Sequence, residues 1–152
     1  MVPQEFHLAA GRRHGKRKSR MEAQNVISIR ADFDVTAASI AAREAARRLG
    51  FNAIDQARIA TATSELARNI LLHAGEGSVI ISPVDHDDRR GIELIFEDEG
   101  PGMPGEYSNS SNGSGQGDNG IGLAGSRRLM DELRIDAQAG HGTRVICYKW
   151  LR

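Results

Sequence analysis

Between Asn25 and Arg30 the apolar residues Val26, Ile27 and Ile29 form a short β-branched run that predicts a first strand. Asp34 stands where a helix N-cap is expected, ahead of an alanine-rich stretch that reaches Leu49 and is ended by Gly50. A second helix is expected from near Asp55. There Ile59, Ala62, Leu66 and Ile70 recur at spacings of three and four, a stripe that faces a core. It stops at the Gly75 to Gly77 turn. Two strands follow, Ser78 to Val84 and Gly91 to Glu97, joined by the charged loop Asp85 to Arg90 as in an antiparallel pair. A third helix is expected from about Ile121 to Leu133. Strands over Arg134 to Ala139 and Thr143 to Trp150 then flank the Gly140-His141-Gly142 turn.

The order strand, two helices, two strands, helix, two strands predicts an α/β (α+β) two-layer sandwich with the helices on one face, not a doubly wound parallel sheet. Residues 105–119 interrupt the pattern. They are nearly all Gly, Ser, Asn and other small polar residues, too poor in apolar surface to hold one conformation unaided, and they read as a lid. Residues 1–24 carry Arg12, Arg13, Lys16, Arg17, Lys18 and Arg20 and read as a solvated tail, or as sequence ahead of a start at Met21. The domain proper is then expected over residues 25–152.

At 152 residues and 39% hydrophobic content the chain can bury one sizeable core and is short for two domains. Twenty basic side chains balance twenty acidic ones, so no overall field favours a nucleic acid or a membrane as partner. One cysteine, Cys147, excludes an internal disulfide, and no apolar run is long enough for a secretory signal or a membrane span. A cytoplasmic setting is the expectation.

Four clusters carry candidate chemistry. Glu65 and Asn69 are four apart on the second helix and share a face beside the apolar stripe. A carboxylate and an amide there can serve as proton acceptor and as oxygen ligand for Mg²⁺, or can be an ordinary solvent-facing pair. Asp98-Glu99-Gly100-Pro101-Gly102 ends a strand. Its Asp can accept from an exocyclic amine or can cap a turn, and its glycines admit close approach. Gly120-Ile121-Gly122-Leu123-Ala124-Gly125 opens the third helix, where unpaired N–H groups suit phosphate. Its G-x-G-x-x-G text follows a lid and not a strand, which rules out the dinucleotide version, and no P-loop occurs. Gly140-His141-Gly142-Thr143 adds a hydroxyl at the start of the last strand, or is a plain hairpin turn.

Taken in order, these clusters resemble the N, G1, G2 and G3 boxes of the GHKL (Bergerat) ATPases and kinases. The resemblance implies a mostly antiparallel mixed sheet, ATP and Mg²⁺. Within that superfamily Ser64-Glu65-Leu66-Ala67-Arg68-Asn69-Ile70, Arg128-Leu129-Met130-Asp131-Glu132 and Lys149-Trp150-Leu151-Arg152 are most similar to the RsbT-like serine/threonine kinases. The likeness covers about Asn25 to Arg152. It implies phosphotransfer to a serine or threonine of an RsbS- or RsbR-like STAS-domain protein, and contact activation of an RsbU-like PP2C-type phosphatase. It also implies roles: Glu65 orienting or deprotonating the acceptor hydroxyl; Asn69 on Mg²⁺; Asp98 on the adenine amine; Gly100, Gly102 and Thr143 around the base; Gly120 and Gly122 at the phosphates.

One departure stands out, since residues 105–119 hold no Lys or Arg where kinases of this group often bring a cation to the γ-phosphate. Arg68, Arg127 and Arg128 are the candidates to compensate. Three rivals remain: an anti-sigma-factor kinase like RsbW or SpoIIAB, a non-catalytic ATP-binding partner-switching module, and a detached histidine-kinase domain. The last would need an upstream dimerisation helix, for which the first 24 residues show no amphipathic pattern.

Overall fold

The computed structural model describes residues 24–101, 122–137 and 140–152. The chain runs β1 (Asn25–Ile29), α1 (Asp32–Leu49), α2 (Ala53–His73), β2 (Gly77–His86), β3 (Arg89–Asp98), α3 (Gly122–Leu129), β4 (Glu132–Ala137) and β5 (Thr143–Trp150). The strands form one sheet in the order β1-β2-β3-β5-β4, and every pairing among them is antiparallel. The expected basic tail and the lid lie outside the described residues.

Alternation along the strands sorts the two faces of the sheet. Val79 and Ile81 of β2, Ile92, Leu94 and Phe96 of β3, and Val145 and Cys147 of β5 point to the helices. They meet the expected α2 stripe of Ile59, Ala62, Leu66 and Ile70, all buried. From α1 come Ala38, Ala42 and Ala46, spaced by four and fully buried, whose small side chains let α2 lie close. The opposite face carries a smaller cluster of Ile95, Ile146, Tyr148 and Trp150.

Helix starts depart from expectation by one to three residues, for identifiable reasons. Asp34 is not the N-cap; it sits in the first turn, and its Oδ2 accepts from the N–H groups of Arg30 (2.8 Å) and Ala31 (3.0 Å). An acidic side chain reaching back from the third position is the reciprocal half of a capping box: it satisfies the amides at and before the N-cap. Asn52 caps α2, its Oδ1 accepting from Asp55 N–H at 2.7 Å, so the helix begins before Asp55. Gly50 ends α1 at φ +101°, a left-handed conformation that costs glycine little.

The β2–β3 hairpin is longer than its charge suggested. Only Asp87 and Asp88 lie in the turn, both at positive φ, 54° and 66°, as a two-residue hairpin demands. Asp85 and Arg90, expected in a loop, face each other across the ladder and form an ion pair at 3.4 Å. A second correction concerns the third helix, which ends at Leu129 and not at Leu133. The sheet captures the next residues: Asp131 N–H donates to the Tyr148 carbonyl (2.9 Å), and Asp131 Oδ2 accepts from Trp150 N–H (2.8 Å). Trp150 Nε1 donates to Glu132 at 3.1 Å. Leu133 is apolar and buried either way, so its spacing fitted the helix as well as the strand that won it.

These contacts explain two of the sequence signatures. Arg128 to Glu132 and Lys149 to Arg152 lock into each other. The Lys149 side chain is only 6% exposed. Its Nζ donates to the Leu129 carbonyl at 2.7 Å and lies 3.7 Å from both Asp55 and Asp131. Arg152 adds a 2.6 Å contact to Asp131. One ammonium thus ties the end of α3, the start of α2 and the last strand together. A charge taken out of water holds only if paired and hydrogen-bonded, and here it is both.

Candidate functional site

At the other end of the sheet, register places Asp98, the last residue of β3, opposite Thr143, the first of β5. Above them runs the C-terminal half of α2. The three elements enclose a cleft lined by Leu66, Asn69, Ile70, His73, Phe96, Asp98, Thr143 and Val145. Its walls are apolar, and its polar groups are one amide, one imidazole, one carboxylate and one hydroxyl. A flat aromatic ring with a donor on its edge suits such a lining. Three residues singled out from sequence, Asn69, Asp98 and Thr143, therefore come together although up to 74 positions separate them.

Asp98 caps a turn and keeps a free acceptor. Its Oδ1 accepts from the N–H of Gly100 at 2.9 Å, the turn-capping bond, and a carboxylate keeps further acceptor capacity for a ligand. The glycines act partly through the protein itself. A Cβ on Gly100 would lie 2.6 Å from the Cβ of Ala74, so the missing side chain lets the turn pack on the end of α2. A Cβ on Gly142, at φ +88°, would lie 2.3 Å from the Asp98 carbonyl oxygen. Both glycines fix the backbone beneath the cleft.

Glu65 lies one turn before Asn69 on α2 and is not among the residues lining the cleft. Its side chain is 17% exposed, and Oε2 sits 3.2 Å from Nη1 of Arg68. Gly122 is the first residue of α3, at φ +66°, where an added Cβ would meet no atom of the described residues within 4 Å and the helix start carries unpaired N–H groups. Gly102 and Gly120 lie outside the described residues.

A larger cleft of about 730 Å³ borders the same Asp98–Thr143 pair, lined by residues that include Arg30, Glu76, Glu97, Asp136 and Arg144. Most of its charges are already matched, Arg144 with Glu97 and Arg30 with Glu76 at 3.9 Å. Its lining includes no aliphatic side chain, whereas the narrower cleft has apolar walls but encloses only about 20 Å³, less than a base occupies.

Sequence reading alone missed the walls of that cleft. Leu66 and Ile70 read as a core stripe with Glu65 and Asn69 beside it, and Phe96 and Val145 as strand interior two residues from Asp98 and Thr143; the spacing left out that the three elements close round one cleft. His73 carried a usable signal, its four-residue offset from Asn69.

Comparison with known proteins agrees with this fold. The family described as Histidine kinase-like ATPase domain matches residues 27–149. The serine/threonine-protein kinase RsbT of Bacillus subtilis (strain 168) is 44% identical over 133 residues, 87% of this chain and 100% of the relative. Two solved structures share the fold. One, from Mycobacterium tuberculosis, contains RsbU and RsbW domains and superposes with a TM-score of 0.56 at 20% identity, over 84% of this chain and 33% of that one. The chain thus spans about a third of that structure. The other, the catalytic domain of the histidine kinase ThkA in a nucleotide-free form, gives 0.50 at 14% identity, over 83% of this chain and 97% of that one. With 44% identity across the whole of a curated serine/threonine kinase and an ATPase-family match over most of its own length, the chain belongs to the RsbT family of protein serine/threonine kinases, built on the histidine kinase-like ATPase domain.

Proposed function

We propose that this kinase transfers the γ-phosphoryl group of ATP to a serine or threonine of an RsbS- or RsbR-like STAS-domain protein. The observation that carries the reading is the convergence of Asn69, Asp98 and Thr143 in one apolar-walled cleft. Asp98 accepts from the adenine amine, Thr143 and the apolar walls hold the ring, and the N-terminus of α3 beginning at Gly122 faces the phosphates. Gly100 shapes the base pocket by seating the turn on α2, and Gly102 and Gly120 are assigned to base and phosphates by their place in the motifs.

Asn69 would hold Mg²⁺ through its amide oxygen. Among the described residues no group of three or more His, Cys, Asp or Glu could hold a metal. The donor set fits Mg²⁺, which takes one or two protein oxygens and completes its shell from phosphate and water. When bound, the ion neutralises charge building on the phosphate oxygens. Glu65 takes the proton of the acceptor hydroxyl as the new O–P bond forms and the bond to the β-phosphate oxygen breaks, releasing ADP.

The family's partner-switching character supports a second activity, activation of an RsbU-like PP2C-type phosphatase by contact. A Mycobacterium tuberculosis structure that holds RsbU and RsbW domains together is in keeping with it. An RsbW-like anti-sigma role finds less support, because the relative at 44% identity is an RsbT. Incubation with γ-labelled ATP, Mg²⁺ and a purified RsbS-like STAS-domain protein tests the main reading. Label should move to the acceptor and fail to move with Asn69→Ala. ATP binding without transfer to any STAS-domain protein would leave the contact role alone standing.

A further inference from the structure

Catalysis by a carboxylate base needs the carboxylate held in one orientation, and Glu65 has a neighbour placed to do that. Arg68 follows it by three residues on α2, which sets the two side chains on adjoining faces. The guanidinium reaches back to Oε2 of Glu65 at 3.2 Å, with the arginine half exposed (49%) and the glutamate largely covered (17%). A pair with one covered partner differs from an open surface pair: the glutamate is largely confined, and of its two oxygens Oε2 is the one the guanidinium takes. Arg68 also directly precedes Asn69, so the same turn that brings an oxygen to the metal brings a cation to the base. No Lys or Arg occurs in residues 102–121 to bring positive charge from outside α2.

From this geometry we infer that Arg68 is a positioning residue for phosphoryl transfer: it fixes Oε2 of Glu65 and leaves Oε1 to receive the proton of the acceptor hydroxyl. The inference rests on the reading of Glu65 as base. Arg68 acts through Glu65 and touches neither nucleotide nor acceptor, so its loss lowers turnover without weakening ATP. A bond that merely supports the helix would do the reverse, trimming stability and sparing turnover.

The test is steady-state phosphotransfer by the full chain, with Mg-ATP and a purified RsbS-like STAS-domain protein, in Arg68→Ala, Arg68→Lys, Glu65→Gln and the double variant Glu65→Gln/Arg68→Ala. Arg68→Ala should lower kcat about tenfold with the KM for ATP within about twofold, as expected when a reacting group loses its orientation. Arg68→Lys should recover most of that loss. The double variant should be no slower than Glu65→Gln alone, because the arginine then has nothing to position. A kcat for Arg68→Ala within about twofold of the unchanged protein, or additive losses in the double variant, overturns the inference while a slow Glu65→Gln keeps the base reading. Wild-type turnover in Glu65→Gln overturns both.

Discussion

The two ends of the sheet are built on opposite principles. At the far end, charged and aromatic side chains interlock: Lys149 is sealed among Asp55, Asp131 and the Leu129 carbonyl, and Trp150 is held by Glu132 with the Arg89 guanidinium 4.2 Å over its ring. At the cleft end the backbone itself does the shaping, through Gly100 and Gly142, while Asn69, Asp98 and Thr143 keep polar groups turned to the cleft. Groups satisfied by one another stabilise; groups left with acceptor and donor capacity are available to a ligand. The same fold can therefore lose stability at one end with its chemistry intact, and lose its chemistry at the other with its stability intact.

Several substitutions would break or sharpen that division. The largest effect is expected at Lys149→Met, which leaves Asp55 and Asp131 facing each other without their shared cation. Loss of about 3 kcal/mol is expected, on the order of 10 °C in Tm, read by thermal denaturation. ATP affinity of the protein still folded should hold; if it collapses, the two ends are coupled. Next in size, Asn69→Ala should slow phosphotransfer about a hundredfold, equivalent to about 2.7 kcal/mol, with little change in Tm. A large drop in Tm would make Asn69 a structural residue.

Smaller effects probe the core between the ends. Ser126 is fully buried in α3, and its hydroxyl has no hydrogen-bond partner among the described residues. Ser126→Ala should raise stability by about 1 kcal/mol, since an unsatisfied buried hydroxyl costs desolvation with no return. Destabilisation in a denaturant titration would show that the hydroxyl is bonded after all. Least is expected of Glu44 on the outer face of α1. Hydrogen bonding from Arg47, with Arg48 adding its charge, holds its carboxyl at about 2 against an ordinary 4.5. A depressed value means that any contribution is present above 4.5 and is lost as pH falls toward 2. The carboxyl lies at the surface and is screened by solvent, so Glu44→Gln should leave Tm unchanged from neutral pH down to the carboxylate range. A difference at neutral pH would mean the pair does more than sit in solvent.

Much of this architecture could be read from residue patterns, and the exceptions have physical causes. The α2 stripe was legible because a helix buried on one side repeats its apolar positions at three and four. The end of α3 was not, because Leu133 satisfies both periods and the deciding contacts come from Trp150 and Tyr148, far along the chain. The β2–β3 turn was hidden by its charges, which turned out to pair across the ladder as Asp85 with Arg90. At the site, the polar members were visible as motif positions; Phe96 and Val145 share a strand face with Asp98 and Thr143 by alternation, but only register joins the two strands into one wall. Lys149 illustrates the same limit, since nothing local marks a lysine at a strand end as the buried tie of two helices.

The central claim is that α2, the end of β3, the start of α3 and the start of β5 converge on one Mg-nucleotide. Isothermal titration of the purified chain with Mg-ATP, repeated on Asp98→Asn, tests it most directly. The account predicts uptake at a single site in the unchanged protein, and its loss in the variant with Tm preserved. Absence of uptake, or equal affinity in the two proteins, would contradict it.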